Sequence, residues 1–130
     1  MAYIMKKIIN TIHAPSPIGP YNQAVLIKGI LYVSGQIALN PETNDLILNS
    51  IEDETHQVMN NLSAVLSEAG CSFKNVVKAT IFLSDMTLFP IVNGIYGSYF
   101  STDYPARETV AVAGLPKGVN VEISVIAYKD

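Results

Sequence analysis

The sequence predicts an α/β (α+β) fold, one mixed β-sheet with two helices packed on one of its faces. Three observations predict it: an apolar stripe at helical spacing between residues 50 and 69, short β-branched runs on either side of it, and a second helical stripe between residues 89 and 100. The 130 residues carry no repeats, charge blocks or long Gly/Ser/Pro linker, so residues 1–130 are read as one domain.

Tyr3–Ile9 is apolar and β-branched enough for an edge strand. His13–Tyr21, with Pro15, Pro17, Gly19 and Pro20, must be a rigid loop, because proline cannot feed a sheet ladder. Asn22–Lys28 and Ile30–Ser34, hinged at Lys28-Gly29, read as a hairpin. Asn40–Asp45 is dense in turn formers and precedes Ile51, Val58, Met59, Leu62, Val65, Leu66 and Ala69, one stripe on a helix from about Ser50 to Ala69 closed by Gly70. Val76–Leu83 is a buried-type strand. Asp85 or Thr87 then caps a helix carrying Phe89, Val92, Tyr96, Tyr99 and Phe100. Two last strands, Arg107–Ala113 and Val119–Tyr128, are expected to form a hairpin about the turn Gly114–Gly118.

Strand alternation places Val110, Val112, Val121, Ile123 and Val125 beneath the helices and Thr109, Ala111, Ala113, Glu122, Ser124 and Ile126 on the other face. That second face is too apolar and small-chained for a free surface, which points to a symmetric oligomer built sheet to sheet. Composition agrees, since only 15% of residues are charged against about 25% in an average domain.

A net charge of −3 with scattered Lys and Arg lacks the basic footprint of a nucleic-acid binder, so none is expected as partner. The single cysteine, Cys71, admits no internal disulfide and fits a reducing, cytoplasmic setting. Neither an apolar export core nor a run long enough to span a membrane occurs, and Met5-Lys6-Lys7 offers a second start to the chain. His13 and His56 stand alone without metal-ligand spacing, and Ser34 lacks a nucleophile elbow.

Pro105-Ala106-Arg107 opens one of the two last strands, and Glu122 lies on the other. Arginine presents a planar fork that matches a carboxylate through two parallel hydrogen bonds, so Arg107 suits a small carboxylate ligand. The same two residues could instead form an ion pair across the hairpin, and spacing alone does not choose.

Pro105-Ala106-Arg107, Val110, Leu115-Pro116-Lys117 and Val121-Glu122-Ile123 resemble the C-terminal signature of the RidA (YjgF-like) family. Ile18-Gly19-Pro20-Tyr21, Val33-Ser34-Gly35-Gln36-Ile37 and Asn93 resemble its other stretches, and the resemblance runs from Lys7 to Ala127. It implies a chorismate-mutase-like fold, a homotrimeric barrel with clefts between subunits, and hydrolysis of 2-iminobutanoate and 2-iminopropanoate to 2-oxo acids and ammonia without cofactor or metal. By the same resemblance, Arg107 would bind the substrate carboxylate and Glu122 would activate water. Tyr21 and Asn93 would complete the cleft, with hydrogen bonds from Ser34, Gly35 and Thr109.

Two positions depart from the family pattern: Glu108, where many relatives carry a small residue, and Thr109, where the best-known deaminases have cysteine. Glu108 points to the strand face opposite Thr109 and is expected in solvent at the sheet edge, but a carboxylate near Arg107 could weaken its hold on an anion. That keeps open a non-enzymatic carboxylate-binding sensor or chaperone-like trimer, whereas an endoribonuclease is disfavoured by the acidic charge and the lack of a histidine pair.

Overall fold

The central helical stripe is realised as α1 (Ile51–Glu68) in the computed structural model, which describes residues 5–130. Ser50 caps it by accepting from the Asp53 amide, three acidic residues occupy its first turn where the helix dipole favours them, and Ala69-Gly70 ends it. Val58, Met59, Leu62, Val65 and Leu66 of this helix are fully buried against the sheet.

The sheet has six strands: β1 (Lys7–Ile9), β2 (Ala24–Ile27), β3 (Ile30–Gln36), β4 (Val76–Leu83), β5 (Ala106–Ala111) and β6 (Val121–Tyr128), in the order β1-β2-β3-β6-β4-β5. Of the expected N-terminal strand, Lys7–Ile9 is formed, and Tyr3 and Ile4 lie outside the described residues. The β2–β3 hairpin turns at Lys28-Gly29, both at positive φ (48° and 81°), the conformation that a two-residue primed turn demands. Asp85 caps a short 3-10 turn, Met86–Leu88, which runs into α2 (Phe89–Gly97).

The last two strands do not form the expected hairpin, because β4 lies between them, parallel to β5 and antiparallel to β6. α2 makes β4-α2-β5 a crossover unit, which requires parallel strands, and the long Val112–Asn120 connection steps over β4 rather than folding back tightly. The insertion also inverts the faces assigned to β5. Arg107 and Thr109 pair with Ala79 and Ile81 and stand on the helix side, whereas Glu108 and Val110 pair with Thr80 and Phe82 and face away, Val110 being 44% exposed. The faces assigned to β6 hold, with Val121, Ile123 and Val125 buried under the helices and Glu122, Ser124 and Ile126 on the open face. Among the described residues, no helix is long and apolar enough to cross a membrane.

Candidate active site

Arg107 rises from β5 on the helix side and meets α2. Phe89, Asn93 and Tyr96 recur there at helical spacing and therefore share one face. The Arg107 Nη1 donates to Asn93 Oδ1 at 2.7 Å, and its Cζ stands 5.5 Å from the Phe89 ring centroid and 5.2 Å from that of Tyr96. The guanidinium is thus oriented by aromatic faces and one neutral acceptor, which leaves most of its five donors uncommitted. Among the described residues, the one ion pair is Lys78–Glu108 at 2.7 Å, so no carboxylate neutralises Arg107. An open pocket of about 620 Å³, walled by Asn93, Tyr96, Tyr104 and Pro105, lies beside it. Beneath α2 the Tyr96 hydroxyl and Thr109 Oγ1 are buried without partners, and burial raises the Tyr96 pKa, with Arg107 opposing, so the ring stays a neutral phenol. Glu108 leaves β5 on the opposite face and is held by Lys78, so it does not compete for Arg107.

Glu122 leaves β6 on the open face, opposite Phe82. Beside it the β3–β6 register shifts between Val33 and Gln36, a bulge at Ser34-Gly35. Ser34 is fixed by its amide donating to the Gln23 carbonyl (2.9 Å) and its hydroxyl to the Asn22 carbonyl (2.6 Å), and Gly35 then passes directly against Glu122. A Cβ at position 35 would stand 2.9 Å from the Glu122 carboxyl carbon and from Oε2, so any side chain there would push this carboxylate aside. Burial pushes the Glu122 pKa above its ordinary value. Tyr21, 48% exposed, lines the same small pocket as Gly35 and Gln36.

The structure therefore brings the expected residues together in two groups, Arg107 with Asn93, and Glu122 with Gly35 and its neighbour Ser34, Tyr21 lining the pocket beside Gly35. It does not bring the groups to each other. Arg107 is in register with Ala79 and Glu122 with Phe82, on opposite faces of β4 and two strands apart. Strand spacing and rise put their Cα atoms roughly 14 Å apart. The ion pair across a hairpin does not form, and Thr109 joins neither group by its side chain, which is buried on the helix side.

The family profile described as Endoribonuclease L-PSP matches residues 11–129. The chain belongs to that family. It is 45% identical over 129 residues to the 2-iminobutanoate/2-iminopropanoate deaminase of Bos taurus, covering 99% of this chain and 94% of the relative. Among solved structures, the Yersinia pestis protein YyfA, of unknown function in the conserved Rid protein family, superposes with a TM-score of 0.93 at 52% identity, covering 95% of this chain and 99% of YyfA. Escherichia coli TdcF with bound serine superposes with a TM-score of 0.91 at 36% identity, covering 95% of this chain and 99% of TdcF. These matches bear out the RidA resemblance and the mixed α+β sheet.

In this member of the L-PSP family, three buried polar residues that sequence reasoning passed over hold the backbone around the Glu122 group. Gln23 ties the proline-rich loop down by donating to the carbonyls of Thr11, Ala14 and Pro15 and accepting from the Thr11 amide. Asn61 donates to the carbonyls of Ile37 and Leu39, just past the bulge. Glu54 holds the start of β6. Glu54 and Asn61 sit three residues after Ile51 and Val58, inside the apolar stripe of α1, and a polar residue in such a stripe is the signal that marks them. His56 pairs with the Tyr99 hydroxyl at 2.6 Å, away from both groups, and His13 is exposed. No three His, Cys, Asp or Glu gather in metal-binding geometry among the described residues.

Proposed function

We propose that this protein hydrolyses small 2-imino acids, such as 2-iminobutanoate and 2-iminopropanoate, to 2-oxo acids and ammonia, in clefts between the subunits of a homotrimer. The observation that carries the reading is the unneutralised Arg107, its guanidinium held by Asn93, Phe89 and Tyr96 with its fork open to a pocket. Such a fork is built for a carboxylate brought by a ligand. The name of the Bos taurus relative supports the substrate class, and the serine bound to TdcF supports a small amino-acid-like ligand.

Because Arg107 and Glu122 stand on opposite faces of one sheet, a cleft containing both takes Arg107 from one subunit and Glu122 from its neighbour. The open face supports this assembly: Tyr32 and Val110 are exposed there at 48% and 44%. In the cleft, Arg107 holds the substrate carboxylate and Glu122 accepts a proton from a water that attacks the imine carbon. A carbon–oxygen bond forms and the imine becomes a tetrahedral amino alcohol. Glu122 returns the proton to the nitrogen; the carbon–nitrogen bond then breaks as the hydroxyl gives its remaining proton back to Glu122, so that ammonia leaves and the carbonyl of the 2-oxo acid forms. A protonated imine is already electrophilic, so orientation and one proton carrier suffice.

The test is to generate 2-iminobutanoate with an amino-acid oxidase, trap it with semicarbazide, and add the purified protein below stoichiometry. Suppression of the semicarbazone is expected. No suppression by the assembled protein would remove the deaminase reading in favour of a carboxylate-binding role.

A further inference from the structure

Glu54 stands on the core side of α1 and is 0% exposed, yet the groups it meets are all neutral donors. Its Oε2 accepts from the backbone amides of Asn120 (2.7 Å) and Val121 (3.0 Å), and its Oε1 accepts from Asn120 Nδ2 (2.9 Å). The pairing of β6 with β3 ends at Ile123–Gln36, so the amides of Asn120 and Val121 lie beyond the last β3 partner. Asn120 is held from the other side by Ser84, the residue after β4, its carbonyl accepting from the Ser84 amide (2.9 Å) and its Oδ1 from the Ser84 hydroxyl (3.0 Å). The start of β6 is thereby fixed between α1 and β4, and the residue after the second clamped amide is Glu122.

We propose that Glu54 is a positioning residue for Glu122: by clamping the Asn120 and Val121 amides it fixes where Glu122 leaves β6, and so where its carboxylate meets Gly35 and the attacking water. Glu54 itself touches no substrate, since alternation along β6 puts the clamp on the helix side and Glu122 on the open face. The hydrogen bonds of the clamp involve no residue of α2, so the Arg107–Asn93 contact stands apart from it. The inference rests on the role given to Glu122 above.

The test compares Glu54→Met, which keeps the volume but accepts nothing, with Glu54→Gln, whose amide oxygen can accept both backbone amides. In the full-length assembled protein, kcat and KM for the imine and the titration of the Glu122 carboxyl by carbon-13 NMR are measured together. For Glu54→Met, kcat per folded protein is expected to fall on the order of 10–100-fold with KM little changed, as misplacement of a reacting group by about an ångström does. The Glu122 titration is expected to move down toward an ordinary carboxylate as water reaches it. Glu54→Gln should restore both. A wild-type kcat and Glu122 titration in Glu54→Met, even with a lower melting temperature, would overturn the proposal. Should Glu54→Met not fold, Glu54→Asp, which withdraws the acceptor by one methylene, is expected to shift both readouts in the same direction, and unchanged values would equally overturn it. If the wild type hydrolyses no imine, the reading of the reaction falls while the Glu122 titration still decides the clamp.

Discussion

Placing a methyl group at Gly35 tests the site where its geometry is tightest. A Cβ there stands 2.9 Å from Cδ and Oε2 of Glu122 and 3.1 Å from its Cγ. Comfortable carbon contacts are about 3.5–4.0 Å, so the carboxylate must retreat by roughly 0.6–1 Å. Gly35 is not among the residues at positive φ, so alanine meets no backbone objection and the fold survives. Overpacking against a flexible side chain costs about 1 kcal/mol, which for a chain of this size lowers Tm by a few degrees. The catalytic cost is larger, since an ångström of misplacement is worth about 10²-fold in rate, or about 2.7 kcal/mol of barrier. Gly35→Ala is therefore expected to lower kcat about 100-fold with KM nearly unchanged, measured by semicarbazone competition alongside a thermal melt. Wild-type kcat in a folded Gly35→Ala protein would refute the claim that this bulge places the reacting carboxylate.

Arg107→Lys keeps the charge but loses the fork and the stacking on Phe89 and Tyr96, so KM should rise at least about 10-fold with a smaller change in kcat; steady-state kinetics read the split, and an unchanged KM would contradict the carboxylate role. Glu122→Gln should lower kcat by about 10²–10⁴-fold. It should also melt higher than the wild type at neutral pH, because burial raises the folded-state pKa of Glu122 and ionising it there opposes folding. That advantage should vanish as the pH falls below the ordinary carboxylate value of about 4.3, where both side chains are uncharged. Melting curves at the two pH values check the sign. Glu108→Ala should leave KM unchanged, since Glu108 faces away from Arg107 and pairs with Lys78 at an exposed site where such a pair contributes little.

The helices and strands were legible where local chemistry and periodicity agree. Ser50 and Gly70 bracket α1, and the apolar positions between them are the ones that the core buries. Strand pairing was less legible. Two consecutive strands with a turn between them read as a hairpin, and nothing in their residues announces that β4, recruited by the α2 crossover, separates them. That one error inverted the face of β5 and left open an ion pair between Arg107 and Glu122 across a hairpin. The identities of Arg107, Glu122, Asn93 and Gly35 came from matching separate motifs, whereas the reason for glycine at 35 appears only once the bulge sets it against Glu122. Glu54 is marked only as a polar residue in an apolar stripe, and its role went unread because two of its three bonds are to backbone amides, which carry no residue identity.

Mixing two inactive variants tests whether each cleft joins Arg107 of one subunit to Glu122 of the next, as proposed. Arg107→Ala and Glu122→Gln chains are co-expressed with different tags, mixed assemblies are allowed to form, and imine hydrolysis is compared with that of each parent and of the wild type. In a closed ring of three, every mixed assembly contains one cleft with both native residues, so random mixing should restore about a quarter of wild-type activity from two parents that have almost none. Mixed assemblies no more active than their parents would contradict the account.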